Sequence, residues 1–207
     1  MNYYIDFDNT LYETAKLTSH MLNAIGESIS IKCTKDKENI IKYAKENFNS
    51  TTDNIFTFAK KMADLYNVDS NYIVNEVKEV VKNGERFVFE DAKRFLIRLR
   101  EKNHKIFLLT FLPKTNQEYQ MLKVSGSNIA QYFDGIIMTT ELKFKLDINY
   151  ENGIFIDDDP RDLNGLFENN PIKVIRIRKP NNKRSKIDID NKEIEEYESF
   201  DYVNVDF

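Results

Sequence analysis

The chain has 207 residues, enough for one domain or for one domain carrying a modest insertion. Apolar residues make up 41% and charged residues 31%, with a formal net charge of −4. A core can therefore be built, while the basic face of a dedicated nucleic-acid binder is not expected. No run approaches the ~18 apolar residues of a membrane span, and the N-terminus lacks the basic-then-apolar pattern of a secretory signal. The single cysteine, Cys33, excludes an intrachain disulfide, which suits a reducing, cytoplasmic setting.

The first strand is short, Asn2–Ile5, and ends in an acidic turn, Asp6-Phe7-Asp8-Asn9-Thr10. From Tyr12 to about Asn83 apolar residues recur at three- and four-residue spacing, which predicts four helices near 13–25, 35–48, 53–66 and 69–83, with Gly84 as the last C-cap. The texture changes after Gly84. Glu90–Lys102 reads as an amphipathic helix, Lys105–Thr110 as a buried parallel strand, and Asn116–Val124 as a helix. Further strands are expected at Asp134–Thr139, Gly153–Ile156 and Lys173–Arg178. A helix follows Asp157-Asp158-Asp159, with Pro160 in its first turn. Strands alternating with helices predict an α/β fold, a Rossmann-like parallel sheet flanked by helices. The four early helices precede the second strand, so the expected division is a core of residues 1–12 and 85–207 with an inserted α-helical cap over 13–84. Lys179–Lys186 reads as a solvated basic loop, and His104 as a solvent-facing turn residue.

In an open parallel sheet, ligands collect at the carboxyl ends of the strands. Asp6 and Asp8, then Thr110, then Asp157, Asp158 and Asp159 each follow an apolar strand directly. Carboxylates gathered at one edge repel, and burying an unpaired charge is costly. A hard divalent cation such as Mg²⁺ resolves the conflict, and it commonly shares its shell with a substrate phosphate. The spacing Asp6-x-Asp8 allows one carboxylate to attack phosphorus while the other handles protons.

These residues carry a resemblance. Asp6-Phe7-Asp8-Asn9-Thr10 resembles the DxDxT motif of the haloacid dehalogenase-like superfamily. Phe107–Thr110 resembles its second motif, and Phe155–Asp162 its fourth. The intervening lysine of the third motif would be Lys145, favoured weakly, or Lys143. The resemblance covers roughly residues 1–12 and 85–178, and the helices of 13–83 match the family's cap in position and size. It implies that Asp6 is the nucleophile and a metal ligand, and that Asp8 is the general acid/base and lends its carbonyl to the metal. It also implies Thr110, Lys145 and Asn9 around the phosphate, with Asp158, or in competition Asp157, on the metal.

The expected activity is Mg²⁺-dependent hydrolysis of a small phosphomonoester through an aspartyl-phosphate. Asp8 argues against dehalogenation, which usually lacks the second aspartate of that motif. The alternatives are a mutase-like phosphate transfer and a non-catalytic protein that kept the fold. The short interval before Asp157 resembles deoxyribonucleotidase-like members, so a nucleoside monophosphate is one expected partner and a sugar phosphate the other. Either a monomer or a dimer is compatible with this reading.

Overall fold

The computed structural model describes residues 1–50, 52–112, 116–150, 152–169, 172–180 and 182–206. Among these residues six parallel strands form one sheet in the order β3-β2-β1-β4-β5-β6. They are β1 (Asn2–Ile5), β2 (Lys105–Phe111), β3 (Gly135–Thr139), β4 (Gly153–Asp157), β5 (Lys173–Ile177) and β6 (Glu195–Tyr197). The helices among the described residues are α1 (Thr14–Cys33), α2 (Lys37–Asn47), α3 (Ile55–Leu65), α4 (Ser70–Lys82), α5 (Glu90–Glu101), α6 (Gln117–Gly126) and α7 (Pro160–Asn169). The expected α/β fold with a parallel sheet is what the chain adopts.

The chain divides into two compact units. The first holds the sheet and comprises Met1–Glu13, Val88–Pro113 and Ile129–Phe207. Strand alternation sorts its core into two layers. Tyr4, Leu109, Phe155 and Val174 share a cluster with Leu163 and Leu166 of α7 and with Tyr150. Tyr3 faces the other way, its ring 6.1 Å from Phe95 of α5, and Phe95 lies 4.7 Å from Phe200. β1 pairs with β2 and β4 in a register that sets Ile5 beside Leu108 and Ile156. β4 therefore ends within a residue of β1, at Asp157, while β2 runs on past it to Phe111.

The second unit is helical and comprises Thr14–Phe87 and Lys114–Asn128, so α6, which follows β2 in the chain, belongs to the helical unit and packs with α4. Helices α2, α3 and α4 start where a side-chain oxygen caps the free amides. Asp36 accepts from the amides of Glu38 and Asn39, Asn54 from Phe56 and Thr57, and Asp69 from Asn71.

Several boundaries differ from the sequence reading. α1 runs on to Cys33, past the expected stop near Ile25. Gly26 does not break it, because a side chain there would collide with Ile41, so the glycine serves a close crossing of α1 and α2. Gly84 opens a 3₁₀ turn, Gly84–Phe87, and the C-cap of α4 is Asn83. β6 was not anticipated. It is three residues long with two glutamates, the charged, short form that edge strands adopt and that carries no apolar alternation. His104 is half-buried, with Nε2 3.1 Å from the Val205 carbonyl and its ring against Tyr3. Among the described residues no helix is long and apolar enough to cross a membrane.

Candidate active site

Asp6 is the first residue past β1, and its amide donates to the Ile156 carbonyl at 2.9 Å. Alternation puts Asp6 on the face of Tyr4 and Asp157 on the face of Phe155. The shared register makes the two carboxylates neighbours. Immediately after Asp6 the chain folds back on itself. Leu11 and Tyr12 amides both donate to the Phe7 carbonyl at 3.0 Å, and Asn9 takes a left-handed φ of 62° with its amide 2.7 Å from the Tyr12 carbonyl. Asparagine tolerates that region better than most residues. Asp8 and Asn9 are half-buried on this turn, and Thr10 is buried with a hydroxyl that finds no hydrogen-bond partner among the described residues.

Lys143 joins the acids. Its ammonium donates to Asp6 Oδ1 and, at 2.6 Å, to Asp157 Oδ2. Only 2% of the residue is exposed. Contacts on both sides of the residue fix it there. Its amide donates to Asp162 Oδ1 at 2.8 Å, and its carbonyl accepts from the Tyr150 hydroxyl at 3.1 Å. The next residue, Phe144, lays its ring on Gly165 of α7 so closely that a Cβ at Gly165 would come within 2.5 Å of it. The two carboxylates complete the set.

Lys145, the lysine favoured on sequence, is not brought to the acids. It is exposed, its ammonium 5.7 Å from the Phe144 ring centroid. Both lysines lie on one 3₁₀ turn, Lys143–Lys145, whose three-residue period points positions two apart in different directions, so one of them alone can face the cluster. Thr110 is buried at the carboxyl end of β2, in register with Met138 of β3.

Asp6, Asp157 and Asp158 each offer a carboxylate oxygen, the three within 4.8 Å of one another, and all three residues are buried. An all-oxygen donor set of this kind suits Mg²⁺ or a similar hard cation. Asp157 Oδ1 also accepts from the Asp159 amide at 2.8 Å, which tightens the turn into α7. Asp159 caps that helix, accepting from the Arg161 amide at 3.1 Å.

The acids outnumber the cations, and the proton affinities reflect it. Burial pushes the Asp6 carboxyl well above its ordinary range, and Asp157, Asp158 and Asp8 push the same way against Lys143. Burial and then Asp157 raise Asp158, opposed by Arg184 and Asn182. Asp162 is raised to about 6 by burial and by Asp157. Lys143 shows the mirror effect, since burial favours its neutral form but Asp157 and Asp6 outweigh it and hold the charge.

Two participants were missed on sequence. Arg184 and Asn182 belong to the stretch read as a solvated loop, yet both donate to Asp158. Residues 183–186 form a 3₁₀ turn, and residue 181 lies outside the described residues. The available signal was Arg176, a charge in the middle of the apolar strand Lys173–Ile177, which demanded a buried partner.

Similarity searches agree with this geometry. A model of the haloacid dehalogenase-like hydrolase family matches residues 4–166. No curated protein matches the sequence. Among solved structures, a HAD phosphatase from Thermococcus onnurineus is similar at 16% identity, covering 96% of this chain and 94% of that one with a TM-score of 0.60. A candidate HAD-hydrolase, YfnB from Bacillus subtilis, solved bound to magnesium, is similar at 10% identity, 97% and 95% coverage and a TM-score of 0.56. A candidate β-phosphoglucomutase from Thermotoga maritima is similar at 13% identity, 93% and 88% coverage and a TM-score of 0.57. At these identities the structural likeness speaks to fold, whereas the family model spans most of the sequence. The chain belongs to the haloacid dehalogenase-like hydrolase family.

Proposed function

We propose that the protein is a Mg²⁺-dependent phosphomonoesterase that works through an aspartyl-phosphate on Asp6. The observation that carries this reading is the buried Asp6 carboxylate, paired with Lys143 and clustered with Asp157 and Asp158 at the carboxyl edge of the sheet. In this reading Asp6 attacks phosphorus, a bond forms from its carboxylate oxygen, and the ester oxygen leaves with its electron pair. Asp8 gives that oxygen a proton. Asp8 then takes a proton from water, whose oxygen attacks the aspartyl-phosphate and returns Asp6 as a carboxylate. Lys143 favours the ionised form of Asp6 against burial and orients it, while Thr110 and Asn9 contact the phosphoryl group. Asp6, Asp157 and Asp158, with the carbonyl of Asp8, would hold Mg²⁺, which when bound neutralises charge on the phosphoryl oxygens.

The helical unit is assigned substrate selection, with small phosphorylated metabolites as the substrate class. The similarity to a candidate mutase keeps phosphoryl transfer to a sugar as a second reading. Phosphate release from an aryl phosphate, followed by a panel of nucleoside monophosphates and sugar phosphates, tests both. Asp6→Asn is expected to abolish Mg²⁺-dependent release, and full activity in that variant would sink the mechanism. A phosphorylated sugar product in place of free phosphate would select the mutase reading.

A further inference from the structure

Both oxygens of Asp158 are held by one distant turn of chain. Asn182 Nδ2 donates to Oδ2, and Arg184 donates to Oδ1 at 3.1 Å. The second terminal nitrogen of the same guanidinium lies 3.1 Å from Asp159 Oδ2, so Arg184 bridges two neighbouring acids. The turn itself is anchored from below. Arg176, fully buried on β5, donates to the carbonyls of Arg184 at 2.7 Å and Ile187 at 2.8 Å, and pairs with Glu196 of β6 at 2.8 Å. Arg178 Nε donates to the Ser185 carbonyl at 2.6 Å. Asn182 Oδ1 accepts from the Arg184 amide at 3.0 Å, which closes the turn locally.

Burying an arginine is costly unless its donors are met. Here two of those donors go to backbone carbonyls of this turn, so the conformation that delivers Arg184 is built in. A guanidinium presents its N–H groups in a rigid fork, so it sets the orientation of a carboxylate as well as its charge.

We propose that Asn182 and Arg184 are positioning residues for Asp158: they grip its two oxygens so that the carboxylate faces Asp6 and Asp157 before a divalent cation arrives. The inference rests on the reading of that cluster as a cation site. Hydrogen-bonded partners of metal ligands commonly act this way, and their loss weakens metal affinity by roughly 10- to 100-fold. An arginine that served only as a stand-in counter-charge makes the opposite prediction, because removing it would free the acids and tighten cation binding.

Calorimetric titration of MgCl₂ into the whole protein separates these cases at one fixed pH. Arg184→Gln is expected to bind Mg²⁺ roughly 10-fold more weakly than wild type. Arg184→Lys should recover part of the loss and Asn182→Ala should show a smaller one, with metal-free melting temperatures near wild type. Equal or tighter Mg²⁺ binding by Arg184→Gln overturns the proposal. If that variant does not fold, unchanged affinity in both Arg184→Lys and Asn182→Ala overturns it instead. A wild-type protein that takes up no Mg²⁺ fails at the cation reading itself, and the positioning role falls with it.

Discussion

Lys143 and Lys179 are both buried lysines paired with aspartate in the sheet unit, but their surroundings point in opposite directions. Asp91 Oδ2 accepts from the Lys179 ammonium, from Ser199 Oγ at 2.8 Å and from the Phe200 amide at 2.9 Å. The Lys179 ammonium also lies over the rings of Phe89 and Phe200, at 4.7 and 5.7 Å. One carboxylate is surrounded by donors, and although burial alone would raise it, those hydrogen bonds hold Asp91 below the ordinary carboxylate range. Around Lys143 the ratio is inverted. One ammonium serves two carboxylates with more acids close by, and burial with mutual repulsion drives Asp6 upward. A satisfied cluster fastens α5 to the C-terminal segment. A cluster with surplus negative charge holds its acids at a cost to stability, the condition under which a divalent cation among Asp6, Asp157 and Asp158 would be stabilising.

That contrast can be broken by substitution. The largest effect is expected for Asp6→Asn. Its turnover should fall by about a million-fold or to background, the scale seen when a nucleophile that acts with its neighbours is removed. Its metal-free melting temperature should match or exceed wild type, because a carboxylate leaves an overfilled site. A clear drop in melting temperature would mean that the site is structural like Asp91. Lys143→Met should abolish activity and also destabilise the fold by about 3–5 kcal/mol, since it leaves Asp6 and Asp157 buried without their counter-ion. Urea unfolding measures that loss. Asp91→Ala should cost about 2–3 kcal/mol by orphaning the Ser199 and Phe200 donors. Its kcat should stay at the wild-type value wherever the protein is folded.

The pH dependence sharpens the same comparison. Asp162 carries a carboxyl raised to about 6, and Asp158 is raised as well, so the folded state binds protons there more tightly than the unfolded chain. Stability in chelator should therefore rise as pH falls from neutral through about 6, toward the unfolded carboxylate value of about 4. Asp91 has the depressed value, so its contribution is complete at neutral pH and is lost only as pH drops below the ordinary carboxylate range. A melting-temperature profile with an acid-side maximum is the expected result, and a steady decline from neutral pH would contradict it. The smallest effect is expected for Lys145→Ala, within about 0.5 kcal/mol in stability, as for an exposed residue away from special features. Its activity should be that of wild type, and a large loss of kcat would reopen the choice of lysine.

Much of this was legible along the chain because it is local. Apolar runs marked β1, β2 and β4, and the polar residues that close them (Asp6, Thr110 and Asp157) were bound to emerge at the carboxyl edge of a parallel sheet. The helices α2 to α5 followed from spacing and capping residues within a residue or two of their observed ends. The partner of Asp6 was not local. Lys143 is 137 positions away, and two lysines two residues apart look alike until a 3₁₀ turn points one inward. Arg184 was harder still. A basic stretch with Pro180 reads as solvated loop unless the buried Arg176 that pins it is known to lie beneath it.

The sequence by itself therefore determined the class of sheet, the family motifs and the placement of Asp6, Asp8, Thr110 and Asp157 at strand ends, because strand period and strand termination are properties of neighbouring residues. Tertiary structure decided the rest: that Asp6 and Asp157 meet across the β1–β4 register, that Lys143 and not Lys145 lies between them, and that Asn182 and Arg184 hold Asp158. Those outcomes depend on register, on Phe144 seated against Gly165 and on a buried arginine ordering a remote turn, and each is a packing choice among segments far apart in the chain.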